Sequence, residues 1–142
     1  MKTVVPSRLL KLALAADALV SGATAALQIA VPAWLGQWLL LPRALLLETG
    51  IFLVAYTMLL IVLARGTRVW WGLIGLVVAG NLAWAIGCVA LLGSGALSPN
   101  LLGAAFVAMH VIVVLTFATL EFKGLQASTP ISASRPAAFM QR

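Results

Sequence analysis

Acidic residues are almost missing from this chain: among 142 residues only Asp17, Glu48 and Glu121 carry a carboxylate. Charge of either sign is scarce, at 8% of residues, whereas 63% are hydrophobic. A chain of this size cannot hide that much apolar surface from water, so its composition demands lipid as solvent. There is one cysteine, Cys88, which excludes an intrachain disulfide and a multi-cysteine metal site and leaves a buried thiol acting as a small apolar residue. There is one histidine, His110. A single imidazole does not make a usual metal site, and a haem would need a further axial partner or an open position. No nucleophile lies near a base in sequence, so neither an enzyme nor a cofactor is expected. Internal repeats are lacking too, which argues against an inverted-repeat transporter built within one chain.

What is present is four apolar runs, residues 12–31, 44–63, 69–92 and 101–120, each near the roughly 20 residues that cross a bilayer. Inside hydrocarbon each run must satisfy its own backbone hydrogen bonds, which selects helices. The expected fold is all-α: an antiparallel bundle of four transmembrane helices over residues 1–123, followed by a flexible cytoplasmic tail, residues 124–142, rich in Ser, Thr, Pro, Ala and Gln. The five-residue connection 64–68 is so short that the second and third helices should be neighbours. Between the first two runs, Pro32 and Gly36 interrupt a segment carrying Trp34 and Trp38. Paired tryptophans suit a membrane–water boundary, so this segment is expected at the outer interface as a short helix; Trp70 and Trp71 mark the inner boundary.

Eight of the nine basic residues fall on one side of these runs: Lys2, Arg8 and Lys11 before the first, Arg65 and Arg68 between the second and third, and Lys123, Arg135 and Arg142 after the fourth. Only Arg43 falls on the other. This positive-inside pattern predicts a multi-pass protein of the bacterial inner membrane with both termini cytoplasmic, and it accounts for the net charge of +6 without nucleic acid. The start of the chain loosely imitates a signal peptide ending at Ala23-Thr24-Ala25. Asp17 interrupts its apolar core and the run continues to Val31, so the first helix is expected to be retained.

On the first helix Asp17, Ser21, Thr24 and Gln28 are spaced four, three and four residues apart, along one face. Such a stripe must turn toward other helices or a wet cavity. Counting the helical rise of about 1.5 Å per residue from the run boundaries places Ser21, Asn81 and His110 near the midplane, Gln28 and Glu48 together nearer the outer face, and Asp17 nearer the inner one. For the stripe, the choice lies between interhelical hydrogen bonding and a solute path; for Glu48, between a favoured position in the first turns of its helix, with Arg43 folded toward it, and a coupling carboxylate. The small residues Gly72, Gly75, Ala79, Gly80, Ala83 and Gly87 on the third helix predict close approach of a neighbouring backbone.

The segments Asp17-Ala18-Leu19-Val20-Ser21-Gly22 and Gly80-Asn81-Leu82-Ala83-Trp84 resemble those of small bacterial four-helix membrane proteins, similar in layout to DoxX-like proteins. The resemblance covers about residues 8–125 and implies redox or membrane-complex partners. No cofactor-binding motif of that family can be placed on a residue here. The leading expectation is a non-catalytic accessory or interaction subunit embedded in the lipid bilayer, with a membrane-protein partner or a second copy of itself. A small solute or proton-coupled transporter or channel, acting as an oligomer, is the alternative, and a redox subunit holding haem or quinone near His110 is a third.

Overall fold

The computed structural model describes residues 2–131. Five helices and three very short strands follow in the order β1 (Thr3–Val5), α1 (Arg8–Ala30), α2 (Pro32–Leu39), α3 (Arg43–Arg65), β2 (Val69–Trp70), α4 (Trp71–Gly93), α5 (Leu101–Gln126) and β3 (Thr129–Pro130). The protein is helical, and α1, α3, α4 and α5 are each long and apolar enough to cross a membrane. The segment expected to be a short helix is one, α2, with Pro32 in its first turn, where a missing N–H costs nothing. It ends at Leu40, the only described non-glycine residue with a left-handed backbone (φ 52°), which turns the chain back into α3. Trp34, Trp38, Trp70 and Trp71 are all exposed, and the Trp34 and Trp38 rings lie 5.6 Å apart.

Two boundaries differ from expectation. The first helix begins at Arg8 because Ser7 caps it, accepting from the Leu10 N–H at 3.1 Å. The last helix runs six residues beyond 120, so the expected tail begins with a helical turn and a strand; residues 132–142 of that tail, with Arg135 and Arg142, lie outside the described residues. The reason is tertiary. Ser7 Oγ donates to the Gly124 carbonyl at 2.7 Å, and Ser128 Oγ donates to the same carbonyl at 2.8 Å while accepting from the Ser7 N–H at 3.0 Å. A Cβ on Gly124 would come within 2.7 Å of the Leu10 backbone, so only glycine lets α5 meet the start of α1 here.

The strands form one small sheet in the order β2-β1-β3, both pairings antiparallel, with Val4 opposite Val69 on one side and Pro130 on the other. This sheet joins the start of α1, the connection between α3 and α4, and the end of α5. Beneath it Val4, Leu10, Leu14, Leu60, Leu63, Val69, Ile74 and Leu125 form a buried apolar cluster. A second cluster, Leu35, Leu39, Leu41 and Leu46, gathers around α2 with Phe106 and Val107 of α5 packed on it.

Between these ends α1 packs closely on both α3 and α5, and α5 on α4. The backbones of α3 and α4, expected to be neighbours because of their short connection, do not pack closely along their length; side chains bridge them instead. Phe52 and Trp84 stack with ring centroids 5.4 Å apart and planes 6° from parallel. The glycines of α4 do not meet a neighbouring backbone: a Cβ on Gly80 or Gly87 would meet nothing within 4 Å, one on Gly75 only the Trp71 ring at 3.9 Å, and one on Gly72 the Trp70 ring at 3.1 Å. Close approach is found at Gly50, where Gln28 and Ile29 of α1 lie 3.0–3.1 Å from the Cβ position.

Candidate functional site

The polar residues within the four long helices separate into one buried knot and one wall of a cavity. At the centre of the knot is Asn81 of α4, 5% exposed. Its Nδ2 donates to Asp17 Oδ2 of α1 at 3.3 Å and to Glu121 Oε2 of α5 at 3.2 Å. The Tyr56 hydroxyl of α3 lies 2.8 Å from Asn81 Oδ1 and 3.0 Å from Asp17 Oδ2, and Ser21 Oγ donates to Asp17 Oδ1 at 2.8 Å. All four long helices thus meet through five side chains, of which Asp17 is 2% and Glu121 0% exposed. Burying two carboxyls is costly unless donors surround them, and Asn81 supplies an N–H to each.

The hydrogen-bond pattern of the knot is short of protons. A hydroxyl has one hydrogen, and Tyr56 faces two acceptors. Tyr56 can therefore serve only one of its two acceptors at a time. Glu121 Oε1 is buried with no partner among the described residues, as are Thr57 Oγ1 and Trp84 Nε1.

Of the residues expected to cluster, Asp17, Ser21 and Asn81 are brought together. Gln28 is buried but lies apart, its Oε1 3.0 Å from Thr49 Oγ1 of α3. Thr24 donates to the Val20 carbonyl of its own helix at 2.9 Å and does not join the knot. Glu48, paired in depth with Gln28, is exposed and outside both groups: it lies about 100° around the helix from its neighbour Thr49, which is the residue that faces α1. Arg43 and Glu48 form no ion pair among the described residues. His110 makes no hydrogen bond among those residues; its ring meets Trp84 edge-on at 6.3 Å, and it shares a cavity of about 440 Å³ with Ser21, Tyr56 and Asn81.

Two members of the knot are absent from the sequence reading. Glu121 lay one residue beyond the assumed end of the fourth run, yet Val114, Ala118, Glu121 and Leu125 continue one buried face at spacings of four, three and four. Tyr56, the only tyrosine, looked like one more aromatic in an apolar run; a hydroxyl in hydrocarbon needs a partner, and that was the signal to follow.

A larger cavity, about 500 Å³, opens between α3, α4 and α5. Gly80, Ala83, Trp84, Gly87, Cys88 and Leu91 of α4 line it, with His110 of α5 opposite and Gln28 and Thr49 at its wall. Among the described residues no three metal-ligating side chains converge. Comparison with protein-family models, with curated proteins and with solved structures gives no match.

Proposed function

We propose that this chain is a small multi-pass protein of the bacterial inner membrane, an antiparallel four-helix bundle with both termini cytoplasmic, that acts as a non-catalytic accessory or interaction subunit of a membrane complex. The observation that carries this reading is the knot: Asp17, Ser21, Tyr56, Asn81 and Glu121 spend their polar groups on one another across α1, α3, α4 and α5. In lipid, where apolar contacts do not drive helices together, such bonds and close packing are what hold a bundle. The outward faces remain broadly apolar, with Ile51, Val62, Leu76, Ile86, Leu101 and Ile112 all more than 60% exposed, and offer area to lipid and to a second membrane protein. Extraction in a mild detergent followed by affinity purification should return a stoichiometric membrane-protein partner or a defined homo-oligomer. Recovery of the isolated monomer alone, across several detergents and after crosslinking in the intact membrane, would overturn it.

A second reading is proton-coupled transport, favoured by the unpartnered Glu121 Oε1 and by the single Tyr56 proton facing two acceptors. An intramembrane carboxyl that gains and loses a proton is a recurrent coupling device. In reconstituted vesicles a pH gradient should then drive flux that Glu121→Gln and Asp17→Asn abolish. Vesicles of the unaltered protein with no flux of protons or of any tested solute would remove this reading.

A further inference from the structure

The cavity along α4 has a shape and a chemistry that the knot does not use. Its floor, Gly80, Ala83, Gly87 and Leu91, follows one helix face, and the helix from Gly80 to Leu92 spans about 18 Å. At both glycines the space where a Cβ would stand is empty for 4 Å. A transmembrane helix could cover the mouth of this cavity but not enter it, because a helix with its side chains is about 10 Å or more across and the space is about 500 Å³. A single hydrocarbon chain, whose carbons pack at about 3.5–4.0 Å, matches both the length and the narrowness.

One wall of this path is polar. Gln28, 5% exposed, lies near the end of α1 and forms part of the cavity wall. Thr49 Oγ1 lies 2.8 Å from the Leu45 carbonyl and 3.0 Å from the Gln28 amide, so Thr49 engages one half of that amide. The other half makes no hydrogen bond among the described residues. In sequence Arg43 falls between Leu41 and Leu45, which line the cavity; it is exposed and without an ion pair among the described residues. An apolar bore, an amide on its wall and a guanidinium next in sequence to its lining are the groups that an acyl chain, an ester and a phosphate would engage.

We propose that this cavity is a binding site for one phospholipid, with an acyl chain laid along Gly87, Ala83 and Gly80, its ester at the Gln28 amide and its phosphate at Arg43. The site does not rest on the accessory reading and would stand if that reading failed. Native mass spectrometry of the detergent-purified full chain is expected to show one retained phospholipid per protomer, identified by its mass. Gly87→Leu and Gly80→Leu fill the bore without meeting a protein atom at the Cβ position, so they should fold and lose that lipid. Arg43→Gln should lower retention about tenfold, a loss of roughly 1.4 kcal/mol in binding free energy, while Ile112→Val on the exposed face of α5 should leave it unchanged. Should either leucine variant fail to fold, Cys88 in the cavity wall reports instead: N-phenylmaleimide should modify it about tenfold more slowly with phospholipid bound than after delipidation. Wild-type protein carrying no lipid, equal occupancy in the leucine variants, or equal Cys88 reactivity with and without lipid would overturn the proposal.

Discussion

Asn81 is the residue on which the interior depends most. Asn81→Leu keeps the volume nearly constant but strips both carboxyls of a donor, and each buried group left unpaired costs about 1–3 kcal/mol. Thermal unfolding in detergent should show a loss of about 2–5 kcal/mol, and Glu121→Gln, which retains the size and the hydrogen-bonding capacity of the side chain, should cost much less. Equal losses in the two variants would mean that Asn81 is not the hub. A similar contrast separates the glycines: Gly124→Ala must push α5 off Leu10 and should cost about 1–3 kcal/mol. The spacing on α1 pointed to Asp17, Ser21 and Gln28, which are buried, and also to Thr24, which bonds its own helix; it did not tell which residues of α3 answer them. In a helix that is apolar all round, hydropathy does not distinguish the side facing lipid from the side facing protein. Glu48 was therefore grouped with Gln28 by depth alone, and Thr49 and Tyr56, which point to α1 and α4, carried no contrast to reveal them.

At the scale of elements, the four long helices were legible because length and hydropathy alone define a crossing, and α2 because a proline and two interfacial tryptophans marked it. The three strands were not legible, since two or three residues are too few for a period of two to register. The ends of α1 and α5 were misplaced for a related reason: they are set by long-range bonds between Ser7, Ser128 and Gly124, which no local pattern records. Ser7→Ala removes the α1 cap and the bond to the Gly124 carbonyl together. It should lower stability by about 1–2 kcal/mol, with faster amide exchange at Leu10 and in the last turn of α5. A change confined to α1 would show that the two helix ends are not coupled.

For the whole molecule, the charge pattern and the sheet bear on the same question. The sheet gathers the start of α1, the α3–α4 connection and the end of α5, and the basic residues Lys2, Arg8, Lys11, Arg65, Arg68 and Lys123 belong to those same segments, with Lys2 Nζ 5.7 Å from the Trp71 ring. With Cys88 replaced by Ser, a cysteine at Lys2 or Arg68 should be shielded from an impermeant maleimide in intact cells and one at Ser98 modified. Modification at Lys2 would reverse the proposed orientation. Strand β1 occupies the middle of that sheet, and one of its neighbours is residues 129–130. Contacts so distant in sequence are slow to form because the loop must close first. During synthesis, then, β1 waits with one edge open until residues 129–130 have been made, and a protein truncated before Thr129 would keep that edge permanently unmatched.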